Sequence, residues 1–435
     1  MLKEFKDSYT DEIFQFISPN KKLSEMFKNC FYSTLNTTVI QNENELPFVI
    51  TGDIPAMWLR DSSAQVFHYL RFCRENPDMD KFICGLIYRQ ISEIMYDPYA
   101  NAYNICENNK HWRNDETDMK PGVWERKYEV DSLCYAVRLI YKYICETSRL
   151  PVYGGNENAK SVISKLFETI LNVWETEQRH FENSPYRFTR HNTSEKDTLH
   201  NGGMGNPVNY TGMTWSGFRP SDDACVFGYL IPSEFFAASV LENMKEISAG
   251  YLNNSIIESR ADKLKSEILH GINNYGIYRH PTFGEIYAYE TDGFGNYVLG
   301  DDANSPSLLT LPYLCGNVIN NDIYSNTRKF VLSRENPNYV ESNGISGIGS
   351  IHAPKNFIWH MSLAYRALTS ADSGEIKQML DALLSTDGGA LRMHESFNPK
   401  NPSEFTRSHF AWADSVFAEL IMKIYDNPNL RNILI

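Results

Sequence analysis

Asp222 and Asp223 are adjacent carboxylates at the end of a stretch rich in glycine and aromatic residues, Gly212-Met213-Thr214-Trp215-Ser216-Gly217-Phe218-Arg219-Pro220-Ser221-Asp222-Asp223. Two neighbouring carboxyls in a dry cleft cannot both ionise cheaply, so one pKa should rise. A raised carboxyl is what a general acid needs. Residue chemistry does not separate the two. Glu395, in Arg392-Met393-His394-Glu395-Ser396-Phe397, is a candidate general base. Upstream, Trp58-Leu59-Arg60-Asp61-Ser62 sets an indole and a guanidinium beside a carboxylate. Arg60 can pair bidentately with a neighbouring carboxylate and hold it ionised. Each stretch also has a structural alternative. Asp61 or Ser62, and Asp222 or Asp223, could cap a helix N-terminus, and Glu395 could serve packing alone.

Other loop residues extend this chemistry: Asp53, Glu129, Asp131, Asp292, Asp301, Asp302, His191, His200, His352, Arg219 and Arg407. Carboxylates and amides exchange hydrogen bonds with hydroxyls, and aromatic faces cover the apolar face of a pyranose. The mixture suits a sugar cleft. Metal chemistry lacks a ligand pattern: there is no His-Glu-x-x-His, no cysteine pair and no calcium-loop spacing. Asp301-Asp302-Ala303-Asn304 is the one short acidic run that could hold a hard cation. Neither a P-loop nor a strand followed by Gly-x-Gly-x-x-Gly is present, and no Gly-x-Ser-x-Gly elbow. No cofactor is expected.

A net charge of −13 repels phosphate backbones and anionic membrane surfaces, so neither nucleic acid nor membrane is an expected partner. An obligate protein partner is not expected either. No window approaches the ~20 apolar residues of a membrane span. The first seven residues contain no apolar leader core. The 8 cysteines include no Cys-x-x-Cys and read as reduced and buried, which points to the cytoplasm.

Positioning these residues falls to helices. Apolar residues recur at helical spacing over 23–40, 60–76, 79–96, 129–145, 157–176, 232–248, 253–273, 305–315, 324–332, 356–368, 374–384 and 409–425. Residues 285–289 alternate in strand fashion. Short turns, such as Glu75-Asn76-Pro77-Asp78, alternate with long connections over 41–59, 97–128, 181–231, 275–303, 335–355 and 386–407. In an up-down array every second connection lies at the same end, so all the long loops gather there. Six helical hairpins arranged so describe an all-α (α/α)6 barrel with an active-site cleft at one end. An open solenoid would alternate in the same way, but no repeat of fixed period supports one. No internal linker interrupts the chain, so residues 1–435 read as one catalytic domain.

The segments Gly52-Asp53-Ile54-Pro55-Ala56-Met57-Trp58-Leu59-Arg60-Asp61-Ser62, Gly217-Phe218-Arg219-Pro220-Ser221-Asp222-Asp223 and His394-Glu395-Ser396-Phe397 resemble glycoside hydrolase family 125. The resemblance extends from about residue 20 to 425. It implies the (α/α)6 fold and metal-independent hydrolysis, with inversion, of non-reducing terminal α-1,6-linked mannose. An oligosaccharide such as an N-glycan fragment is the implied substrate. Carried onto this chain, Asp222 is the acid and Glu395 the base, with Trp58, Arg60, Asp61, Asp302 and His352 expected to contact mannose. Two rivals come from other classes. A glycan-binding protein would lack one of the two carboxylates. A sugar isomerase on a helical toroid would favour a histidine pair such as His352 and His360.

Overall fold

The computed structural model describes residues 5–41, 45–155 and 158–435. Residues 1–4, within the stretch read for a leader, and residue 157, the expected start of a helix, lie outside the described residues. Outer and inner helices alternate along the chain. They are α1 (Lys21–Phe31) and α2 (Leu59–Ala64), α3 (Pro77–Tyr96) and α4 (Val130–Thr147), α5 (Ala159–Glu177) and α6 (Ile231–Ile247). There follow α7 (Ser255–Tyr275) and α8 (Leu311–Cys315), α9 (Asn321–Val331) and α10 (His360–Leu368), α11 (Ser373–Ser385) and α12 (Ala411–Asp426). A further helix, Ser8–Ile17, precedes them.

The two sets start differently. Five of the six outer helices carry local caps: the side chains of Asn20, Asn76, Asn254, Asn320 and Asp372 accept from first-turn N–H groups of α1, α3, α7, α9 and α11. Each such cap stabilises by about 1 kcal/mol. Inner helices have no side-chain cap of their own; Trp58, Glu129, Leu230, Trp359 and Phe410 precede α2, α4, α6, α10 and α12. In four of the six, the first N–H group is satisfied by the next loop around the ring. Leu59 N–H donates to the Asn101 carbonyl at 3.2 Å, Ile231 N–H to that of Tyr289 at 2.9 Å and Ala411 N–H to that of Thr51 at 3.3 Å. Val130 N–H donates to Ser216 Oγ at 3.2 Å.

Short strands repeat this handover. Met57–Trp58 pairs with Ala102–Tyr103, Tyr229–Leu230 with Glu290–Thr291, and Ile358–Trp359 with residues 396–397. The last link, Gly52 to Phe410, joins the first long loop to the last inner helix. Helix packing closes likewise: α2 on α4, α4 on α6, α6 on α8, α10 on α12 and α12 on α2. Tyr313 of α8 meets Tyr365 of α10 with ring centroids 5.2 Å apart. Six inner helices thus form a closed ring, and the (α/α)6 barrel stands in place of an open solenoid. The main apolar core runs from Phe5 to Leu434, and a small second cluster gathers Ala56, Trp58, Ala102 and Trp124.

Several element boundaries differ from expectation. The run at 23–40 ends its first helix at Phe31, and 60–76 divides into α2 and a 3-10 turn, Phe67–Phe72. At 305–315 the helix begins only at Leu311, because side chains satisfy the preceding backbone. Asp301 accepts from the N–H groups of Leu308 at 2.7 Å and Leu309 at 2.9 Å, and Thr310 Oγ1 from that of Ser307 at 2.8 Å. Asn356, expected to start a helix, has φ +65°, and the helix starts at His360. The strand expected at 285–289 lies over Gly284–Tyr287, paired with Ile277–His280. All the cysteines are free, but Cys106 and Cys145 are exposed, against the expectation of burial. Among the described residues no helix is long and apolar enough to cross a membrane.

Candidate active site

Residues 219–223 form a tight turn: Arg219 N–H donates to the Asp223 carbonyl at 2.8 Å, and Asp222 N–H to the Arg219 carbonyl at 2.9 Å. Asp222 takes φ +63°, a left-handed conformation that aspartate tolerates better than most residues. Arg219 anchors the turn through Glu290, whose other oxygen accepts from Phe227 N–H at 2.8 Å. Asp222 Oδ1 accepts from Asn101 Nδ2 at 3.1 Å and from Arg60 Nη2 at 3.4 Å. Lys127 Nζ donates to the Asp222 carbonyl at 2.6 Å. Neither member of the aspartate pair caps a helix, because α6 starts at Ile231. Asp61 and Ser62 lie inside α2 and do not cap it either.

The expected rise in pKa falls on the other member of the pair. Burial lifts Asp223 above the ordinary carboxylate value, against the pull of His352 and a hydrogen bond from Ser221. At Asp222 burial pushes upward too, but the nearby charges of Arg60 and Lys127 hold it below that value. Arg60 is not bidentate to one carboxylate. Its Nη1 contacts both Glu129 and Asp131, the latter at 3.1 Å, while Nη2 contacts Asp222. Burial pushes Asp61 up to about 6, opposed by Arg60 and Arg407.

Glu395 sits opposite this cluster on the last long loop, with Arg407 Nη1 3.7 Å from its Oε1. Arg407 also binds Asp53, and its Nη2 donates to Thr51 Oγ1 at 3.2 Å. The preceding residue fixes the backbone beneath Glu395. The His394 ring stacks on Phe405 with centroids 3.6 Å apart, and His394 N–H donates to His360 Nδ1 at 2.9 Å. His360 is buried and held neutral by that burial, with its Nε2 3.1 Å from Thr386 Oγ1. It is therefore unsuited to pair with His352 as an isomerase acid and base.

Trp58, Arg60, Asp61, Asp222, His352 and Glu395 all line one small cavity. Trp359, Phe410 and Trp412 complete its aromatic wall, with Thr51, Asn304 and Arg407 among its polar lining. Among the described residues the indole N–H groups of Trp58 and Trp359 have no hydrogen-bond partner, an arrangement that is costly in an apolar wall. Asp302, expected to touch ligand, does not line the cavity. Its Oδ1 accepts from Asn304 N–H and Nδ2, each at 3.0 Å, and its Oδ2 from Ser350 Oγ at 2.6 Å. Ser350 Oγ in turn accepts from His352 N–H at 3.1 Å. Asp302 thus orients Asn304 and the His352 backbone. Asp301 is used as a backbone acceptor, and among the described residues no group of three or more His, Cys, Asp or Glu could hold a metal ion. Two wider basins adjoin the cavity. Asp222 lines one with Lys127 and Arg190, Glu395 lines the other with Asp53 and Thr406, and Trp112 and His352 line both.

Residues 20–422 match the family described as metal-independent α-mannosidases (GH125). The chain belongs to glycoside hydrolase family 125. It is 41% identical to a metal-independent α-mannosidase of Streptococcus pneumoniae, solved in a non-productive complex with α-1,6-mannobiose. The match covers 96% of this chain and 97% of that one, with a TM-score of 0.91. The meiotically up-regulated gene 157 protein of Schizosaccharomyces pombe is 37% identical over 431 residues, covering 94% of this chain and 84% of that protein. A glucoamylase from Saccharomycopsis fibuligera, 11% identical with a TM-score of 0.56 over 95% of each chain, shares the fold alone.

Within this family 125 hydrolase, sequence reasoning missed Asn101, Lys127, Trp359, Phe410 and Trp412. The last three carry a readable signal. Like Trp58, they are bulky aromatics just before or within the first turn of an inner helix. Asn101 and Lys127 carry none, because they reach the site from a loop that pairs with the neighbouring strand.

Proposed function

We propose that this enzyme removes non-reducing terminal α-1,6-linked mannose from an oligosaccharide, such as an N-glycan fragment, with inversion. The carrying observation is that Asp222 and Glu395 share the walls of one small cavity yet border different outer basins. Asp222 protonates the glycosidic oxygen, and the leaving sugar departs through the basin it lines. Glu395, beside Arg407, takes a proton from water arriving on its own side and attacking the far face of the ring. Inversion calls for carboxyls ~6.5–9.5 Å apart, which leaves room for that water. The α-1,6 linkage is supported by the disaccharide bound to the Streptococcus pneumoniae relative. The small aromatic-walled cavity suits one sugar ring and hence an exo mode. Arg60, Asp61, Asn304 and His352 are the polar groups available to mannose hydroxyls, with Trp58 as a stacking face. We read residues 1–435 as one catalytic unit of the cytoplasm, a setting compatible with the free cysteines.

Incubation with α-1,6-, α-1,3- and α-1,2-mannobiose tests the linkage: mannose should be released from the first far faster than from the others. Proton NMR of fresh product should show the β-anomer before mutarotation. An initial α-anomer means retention and removes Glu395 as base.

A further inference from the structure

Asp222 is poorly placed to keep a proton by itself. Arg60, Lys127 and His352 all favour its ionised form, yet a general acid must deliver a proton. The neighbour that can supply one is Glu129, the residue immediately before α4. Glu129 and Asp222 share two donors. The Asn101 amide lies 3.4 Å from Glu129 Oε1 and 3.1 Å from Asp222 Oδ1, and the Arg60 guanidinium spans both carboxyls through Nη1 and Nη2. Held against the same guanidinium and the same amide, the two carboxyls are neighbours in a site with little water, where sharing one proton costs less than ionising both.

We propose that Glu129 is the proton-holding partner of the general acid, and that the Glu129–Asp222 pair shares the one proton delivered to the leaving sugar. This rests on the assignment of Asp222 as acid.

Burial keeps the proton on Glu129 before substrate binds, since the Glu129 carboxyl is fully buried and that of Asp222 is partly open. Substrate in the cavity removes water from Asp222 and raises its proton affinity. The proton then passes from Glu129 to Asp222, two carboxyls that Arg60 and Asn101 hold side by side. The negative charge moves from the Nη2 side of Arg60 to the Nη1 side and never leaves that guanidinium. Ser132 Oγ, donating to Glu129 Oε2 at 2.8 Å, steadies the carboxylate so formed. Asp222 gives the proton to the glycosidic oxygen as the bond breaks. Water loses one proton to Glu395, and after product leaves Glu395 releases it to solvent while the pair takes one back. Charges facing the pair come from each element around it: Arg60 and Asp61 from α2, Asp131 from α4, Lys127 from its loop and His352 from the loop before α10.

The test compares Glu129→Gln, Glu129→Asp and Asp222→Asn in the full chain. It uses α-1,6-mannobiose and 2,4-dinitrophenyl α-mannoside, whose leaving group needs little protonation. Glu129→Gln keeps a hydrogen-bond donor but carries no transferable proton. It should lose about 10²-fold in kcat on mannobiose and recover with the aryl mannoside to the extent that Asp222→Asn does. Its alkaline limb of kcat/KM should move to lower pH, because Asp222 alone beside Arg60 and Lys127 loses its proton sooner. Glu129→Asp should move the limb back toward wild type. Equal losses on both substrates with an unmoved limb would show a merely structural Glu129 and overturn the proposal. Asp222→Asn without a leaving-group effect would instead overturn the acid assignment beneath it. If Glu129→Gln does not fold, the infrared spectrum of wild type with labelled glutamate decides. A protonated glutamate carbonyl band at neutral pH that shifts on binding a mannose-site inhibitor supports the pair, and absence of such a band refutes it.

Discussion

Asp222 and Glu395 differ in what holds them, and their variants should fail differently. Asp222 faces two cations and a shared amide beside the basin it lines with Lys127 and Arg190, whereas Glu395 faces one arginine beside the other. Each acid–base contribution is worth ~10²–10⁴-fold. Asp222→Asn and Glu395→Gln should therefore both lose most turnover of α-1,6-mannobiose while keeping the wild-type circular dichroism spectrum. With an activated aryl mannoside Asp222→Asn should regain rate and Glu395→Gln should not, because good leaving groups need no acid but water still needs a base. Equal recovery would remove the distinction. The aspartate pair, Glu395 and the Trp58–Asp61 segment were legible as residue types, each within its own short stretch of sequence. Which aspartate faces the cavity was not, since the left-handed turn at Asp222 separates the pair only in three dimensions.

Inner helices depend on their neighbours at the scale of elements as well. Gly52, with φ +141°, brings the first long loop against the last inner helix; a Cβ there would lie 2.7 Å from the His409 carbonyl oxygen. Gly52→Ala should cost about 1–3 kcal/mol, lower the thermal midpoint, and reduce kcat/KM by disturbing Thr51 and Asp53, which hold Arg407. An unchanged midpoint would mean that the ring closes without this approach. The segment before α8 makes a prediction about pH. Burial pushes Asp301 up to about 8 against two backbone N–H groups that favour its ionised form. Between the ordinary carboxylate value and about 8 the folded state keeps a proton that the unfolded state has lost, so this group's contribution to stability falls as pH rises through that window. Asp301→Asn should flatten the decline in thermal midpoint between pH 5 and pH 8.5, as read by a melting series. The same carboxyl explains why the helix expected at 305–315 shrank: a side chain from outside the segment took the N–H groups that a helix start would have left to a local cap.

For the whole molecule, membership of a metal-independent family predicts that exhaustive dialysis against a chelator leaves turnover of α-1,6-mannobiose unchanged. Loss of activity restored by calcium or zinc would contradict it. The alternation of short and long connections by itself determined that the functional loops share one end, because antiparallel helices leave no other geometry for them. Helical periodicity likewise determined the number of hairpins, and residue type determined that carboxylates, indoles and guanidinium groups would supply the chemistry. Closure into a ring was decided only by tertiary structure. Five outer helices announce their starts through Asn20, Asn76, Asn254, Asn320 and Asp372, which act within their own turns. Four inner helices start where a backbone carbonyl or hydroxyl from the next loop meets them, at Asn101, Ser216, Tyr289 and Thr51, contacts too distant in sequence for any local pattern to reveal. The same contacts bring Asn101 and Lys127 to Asp222 and turn the site from a set of residue types into a charge arrangement.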